Sequence, residues 1–80
     1  MNTHDNCIQI SDLTLATVIS LSFPILALDR SNSPRVSFIF NRTPALDEMV
    51  AQFWRKEITI EPQALANQIK NLKTRIYSGE

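Results

Sequence analysis

Pro24-Ile25-Leu26-Ala27-Leu28-Asp29-Arg30-Ser31-Asn32-Ser33-Pro34-Arg35-Val36-Ser37-Phe38-Ile39-Phe40-Asn41 is the stretch whose reading decides the fold. Two apolar runs, Ile25 to Leu28 and Val36 to Phe40, flank a polar segment containing Ser31, Asn32, Ser33 and Pro34. Apolar runs, the second rich in β-branched and aromatic residues, on either side of a turn cluster are the mark of a β-hairpin. Side chains alternate faces along a strand, so Leu26 and Leu28 share one face, as do Val36, Phe38 and Phe40. Pairing Leu28 with Val36 and Leu26 with Phe38 gathers all five on one face and sets Asp29 opposite Arg35. A slip of one residue would put Leu28 against Ser37 and scatter the apolar set, so the parity is strongly specified. The other face then carries Ile25, Ala27, Ser37 and Ile39. An isolated hairpin is marginal in water, and helices must cover at least the Phe38 face.

The flanking sequence supplies those helices. Residues 1–10 read as a polar, partly flexible tail ending in Ile8-Gln9-Ile10, which either forms a short third strand beside the hairpin or leads into the first helix. Ser11 or Asp12 is a natural N-cap, its side-chain oxygen accepting from exposed backbone N–H groups of the first turn. Leu13, Ala16, Ile19 and Ser20, with Leu15 and Val18 beside them, then make a helical stripe to about residue 22. The β-branched Thr17, Val18 and Ile19 lower helix propensity, so a strand competes there. Pro24 ends the element in either case.

Beyond the hairpin, Thr43-Pro44 is the clearest helix start: Thr43 caps, and Pro44 sits where a missing N–H costs nothing. Asp47 and Glu48 suit the positive end of the helix dipole. Leu46, Met49, Val50, Phe53 and Trp54 follow the i, i+3, i+4, i+7, i+8 pattern of a one-sided apolar face directed at the sheet. Ile58-Thr59-Ile60 is a connector with strand character. Glu61-Pro62 opens a last helix whose stripe is Leu65, Ile69, Leu72 and Ile76, and Gly79 is a natural stop. The expected fold is α+β in the order α-β-β-α-α: a small antiparallel hairpin sheet packed against helices, with the domain spanning 11–78.

With these elements placed, the chain resembles a family of short bacterial and phage proteins known as domain of unknown function 5659. Ser11-Asp12-Leu13-Thr14-Leu15-Ala16 is similar to the family's polar cap and apolar first helix, and Val36-Ser37-Phe38-Ile39-Phe40 to its second strand, where aromatic-x-aromatic is usual. Thr43-Pro44-Ala45-Leu46 is similar to its capped second helix, and Leu72-Lys73-Thr74-Arg75-Ile76-Tyr77 to the end of its C-terminal helix. Ser22-Phe23-Pro24 departs from the glycine-containing turn expected after the first helix. The resemblance implies a fold over residues 11–78 and no activity.

Composition narrows the functional classes. Eighty residues, 44% hydrophobic and 20% charged, make one folded domain with a single modest core. Zero net charge removes any global argument for a nucleic-acid partner. All eight basic residues nevertheless fall in 30–80, against Asp47, Glu48, Glu57, Glu61 and Glu80. A single cysteine, Cys7, excludes an internal disulfide and a cysteine-based zinc site, consistent with a cytoplasmic location. His4 lies beside it, but metal or Cys-His chemistry needs further ligands and a rigid frame, so the pair reads as part of the tail. The uncharged run 13–28 is interrupted by Pro24 and diluted by Thr14, Thr17, Ser20 and Ser22. It falls short of the ~20 residues a membrane span requires and lacks a basic leader, so no membrane association is expected.

No Ser-His-Asp set, metal cluster, carboxylate pair or phosphate-cradling glycine loop emerges, and neither catalysis nor a cofactor is expected. Lys70, Lys73 and Arg75 form a basic stripe near the chain end that offers weak candidate phosphate contacts. Solvation of an exposed helix face and complementation of its C-terminal dipole is the preferred reading of that stripe. The remaining class is a protein-interaction or self-associating module. Its candidate interface is the second sheet face, Ile25, Ala27, Ser37 and Ile39, which three helices on the opposite face would leave bare. The partner is then another protein or a second copy.

Overall fold

A computed structural model describes residues 6–78 and shows the order β-α-β-β-α-α. The elements are β1 (Cys7–Ile10), α1 (Leu13–Ser20), β2 (Ile25–Asp29), β3 (Ser37–Asn41), α2 (Pro44–Trp54) and α3 (Pro62–Ser78). The α+β class is as expected, and of the two readings of Ile8-Gln9-Ile10 the structure shows the strand. The sheet order is β1-β3-β2 with both pairings antiparallel, so β3 is central. Ile8 pairs with Phe40 and Ile10 with Phe38, extending the apolar face of the hairpin by one strand. A bond from the Arg42 N–H to the Asn6 carbonyl, 2.6 Å, continues this ladder one residue beyond β1. Ile58-Thr59-Ile60 is irregular, not a strand.

Local chemistry starts each helix where the side chains allow it. Asp12 Oδ1 accepts from the Leu15 N–H at 3.0 Å, Thr43 Oγ1 from Leu46 N–H at 3.1 Å, and both Glu61 oxygens accept at 2.9 Å, from Gln63 N–H and Ala64 N–H. Each satisfies donors that a first turn leaves without an intrahelical partner. α1 ends at Ser20, about two residues before the periodicity suggested, and its tolerance of β-branched residues has a structural reason. Thr17 is fully buried, and its hydroxyl donates back to the Leu13 carbonyl at 2.7 Å, so no polar atom is stranded. α1 is the central helix, packed against α3 and α2. A polar bridge reinforces the first contact: Gln68 Nε2 donates to Ser20 Oγ at 2.9 Å, and Ser20 Oγ donates to the Thr17 carbonyl.

The core gathers Ile10, Leu15, Ala16, Ile19, Phe38, Phe40, Leu46 and Leu72, with Ile8, Ile25, Leu28, Met49, Val50, Phe53 and Ile76 packed against it. It lies between the sheet and a single layer of helices, in a molecule of 33 × 30 × 17 Å. The stripe of α2 is inward as read, except at its end: Trp54 is 62% exposed and meets Phe53 in a T-shaped pair, ring centroids 5.0 Å apart.

The hairpin register differs from expectation. Leu28 pairs with Phe38 and Asp29 with Ser37, not with Val36 and Arg35, and Val36 precedes the strand. The difference is two residues, which leaves every side chain on its own face; the apolar pattern is blind to such a shift. A bulge between Ile25 and Ala27 adds a second change. Ile25 pairs with Phe40 and turns to the core, while Leu26, expected against Phe38, is 53% exposed on the other side. The extra residue of a bulge interrupts strict alternation, and both displacements follow from it.

α2 ends in a Schellman motif. The Lys56 N–H bonds the Phe53 carbonyl at 3.0 Å and the Glu57 N–H bonds the Gln52 carbonyl at 2.9 Å, with Lys56 at φ 62°. That conformation costs an L-residue on the order of 1 kcal/mol and is the usual place of glycine. Lys56→Gly is therefore expected to stabilise the domain by about 1 kcal/mol, raising Tm by roughly 4–8 °C in a chain of this size. A thermal melt followed by circular dichroism checks it; an unchanged or lowered Tm contradicts the geometry.

Candidate binding face

The two faces of the sheet have opposite characters. On the helix side Ile10, Phe38 and Phe40 are in the core and Ile8, Ile25 and Leu28 pack against it. On the reverse side Cys7, Gln9, Leu26, Ala27, Asp29 and Ile39, together with Leu28, line a shallow concavity of about 450 Å³, and no helix residue contributes to it. Leu26, Ala27 and Gln9 are exposed, and Cys7, Asp29 and Ile39 are half-buried. Of the four residues expected on this face, Ala27 and Ile39 lie together and Ser37 continues the face beside Asp29. Ile25 does not belong to it, because the bulge sends it to the core and puts Leu26 in its place. Cys7 and Gln9, whose register places them beside Asn41 and Ile39, complete it. The alternation in Cys7-Ile8-Gln9-Ile10 carried the signal for these two, while nothing in the uninterrupted apolar run 25–28 announced the bulge.

Asp29 sits at one end of this face. Its carboxylate accepts from the Ser31 N–H at 2.9 Å, and hydrogen bonding from Ser31, assisted by Gln9, holds its pKa below the usual carboxylate range. The group is ionised at neutral pH. Whatever stability this adds is present above the ordinary carboxylate pKa and is lost only as the pH falls through the lowered one.

Arg30, Arg42 and Arg55 are engaged within the fold. Arg30 Nη1 and Nη2 donate to the Ile76 and Arg75 carbonyls, both at 2.9 Å, closing the end of α3. Arg42 pairs with Asp47 at 3.1 Å, and Arg55 bridges Glu48 and Glu57 at 3.2 and 3.0 Å. Asp47 and Glu48 thus combine a position near the helix start with an exposed ion pair. Lys70 and Lys73 are exposed and Arg75 half-buried on α3, away from the sheet's reverse face. Among the described residues no group of three metal-ligating side chains assembles. His4 lies outside the described residues, as does Gly79. No described helix is long and apolar enough to cross a membrane. A smaller concavity of about 330 Å³ lies within the helix layer, between Val18, Phe53, Ile58, Ile60 and Leu65.

The family described as Domain of unknown function (DUF5659) matches residues 5–78 of the chain. Neither the curated proteins nor the solved structures contain a match.

Proposed function

This chain belongs to the DUF5659 family, whose description carries no activity, and on that premise we propose that it is a non-catalytic binding module that holds a polypeptide on the reverse face of its sheet. The observation that supports this is the one-sided packing: three strands bury Phe38 and Phe40 beneath a single helix layer and leave Leu26, Ala27 and Ile39 without a covering element among the described residues. An exposed apolar sheet face next to a single carboxylate suits a protein surface better than it suits solvent. The partner is another protein or a second copy. Nucleic acid is the reading this displaces. Arg30 and Arg42 are engaged within the fold, and Lys70 and Lys73 on α3 are too few for tight phosphate binding.

Light scattering across a concentration series separates the two kinds of partner. A wild type that grows in mass with concentration, while Ile39→Asp stays monomeric, establishes self-association through this face. A wild type that is monomeric throughout leaves a heterologous partner as the only form of the reading. A low-salt gel shift that is abolished by Lys70→Glu/Lys73→Glu would replace the reading with nucleic-acid binding.

A further inference from the structure

α2 stops where its own sequence would let it continue. Arg55, Lys56 and Glu57 follow Trp54, and all three are good helix formers. No breaker lies among them: the chain's one glycine is Gly79, and the next proline is Pro62. The chain nevertheless turns back at Lys56, which adopts φ 62°, a left-handed conformation that its Cβ disfavours. Local preference and fold conflict at this point. The fold prevails because α3 has to return onto α1 of the same chain.

The connector beyond repeats the conflict. Ile58, Thr59 and Ile60 are all β-branched, the composition of a strand. They are irregular, however, and make no backbone hydrogen bond among the described residues. Ile58 and Ile60 also line the concavity of about 330 Å³ beside Leu65, so the connector is incompletely packed where α3 begins. α3 has a shallow footing of its own. Leu72 is its one fully buried residue, and its polar ties run from Gln68 to Ser20 and from Arg30 to the Arg75 and Ile76 carbonyls. A strained turn, an unpaired link and a lightly seated terminal helix together favour exchange of that helix between copies.

We propose that this domain dimerises by exchanging α3. In the open form α2 runs on through Glu57 with Lys56 in the ordinary helical region, and residues 58–61 become an extended link. α3 then docks on α1 of a second copy. The site needs no new complementarity, because its occupant is the helix already seated there: Leu72 re-enters a core, and the Gln68–Ser20 and Arg30–Ile76 bonds re-form between copies. Docking within one chain across a short connector corresponds to an effective concentration of about 1 mM. Relief of Lys56 in both copies favours the dimer by about thirtyfold, which brings exchange to roughly tens of micromolar. Such a dimer leaves the reverse face of the sheet untouched. It persists in Ile39→Asp, and its failure has no bearing on the binding face.

The test uses two single-thiol chains on a Cys7→Ser background, one carrying Ser20→Cys and the other Gln68→Cys. These side chains touch across α1 and α3, so a short bifunctional thiol reagent joins the two chains only where α3 of one lies on α1 of the other. The expected product is a covalent heterodimer after the chains are mixed and equilibrated at about 1 mM. Its absence overturns the inference. Light scattering on chains that keep the Gln68–Ser20 bond gives a second measurement. Lys56→Gly, whose turn is relieved in the closed form, should dimerise about thirtyfold more weakly than the wild type. Lys56→Ala, which removes the charge and keeps the Cβ, should dimerise at least as well as the wild type. Dimerisation of Lys56→Gly as tight as that of the wild type, or its loss in Lys56→Ala, overturns the exchange.

Discussion

Phe40→Ala is expected to destabilise the domain by about 3–5 kcal/mol, whereas Leu26→Ala changes it by less than about 0.5 kcal/mol. Both are large apolar residues in the hairpin that organises the chain, and a face pattern treats them as equals. Phe40 is 0% exposed on the central strand, between Ile8 of β1 and Ile25 of β2, so its removal opens a cavity where sheet and helix layer meet. An 80-residue domain has roughly 4–12 kcal/mol of total stability, so the Phe40 variant is expected to be partly unfolded at room temperature. Leu26 contributes little because the bulge has already returned most of it to water. Urea titration of the two variants beside the wild type measures both numbers. Equal losses would mean that Leu26 is in the core and that the bulge is misplaced.

Arg30→Met is the second large effect, about 2 kcal/mol, with a local signature. The guanidinium leaves the end of β2 and donates two charge-assisted bonds to carbonyls of the last turn of α3, which no intrahelical N–H can satisfy. Its charge also complements the negative end of the helix dipole. α3 depends on such a clamp, because Leu72 is its one fully buried residue and Tyr77 is 82% exposed. Methionine retains much of the apolar stem while removing the donors. Hydrogen exchange should accelerate at the amides of residues 73–78 well before it does in α1. Uniform acceleration across the molecule would show that Arg30 supports the whole fold and not the end of one helix.

These two residues also mark how far the sequence could be read. Arg30 lies in the polar segment between the two apolar runs of the hairpin; its partners are carbonyls some 45 residues away along the chain. No pattern within a window encodes such a contact. Arg42 follows β3 just as unremarkably, yet it pairs with Asp47 because the capped helix starts immediately afterwards. The candidate face was legible in part. Alternation placed Ala27, Ser37 and Ile39 together, and the same rule applied to β1 adds Cys7 and Gln9. Exchange of Ile25 for Leu26 was not legible, because four consecutive apolar residues satisfy either alternation.

The sequence by itself determined the class of fold and the starts of its helices. Asp12, Thr43-Pro44 and Glu61-Pro62 act on backbone groups within three residues of themselves, so their effect is written locally. Face parity in the hairpin was likewise determined, because period two is a property of the strand alone. Tertiary structure alone decided the two-residue register, the bulge at Leu26 and the clamp of Arg30 on α3. Each of these depends on which distant surfaces meet. The apolar pattern constrains which side a residue faces, but the pairing energy between segments selects the neighbour it finds there.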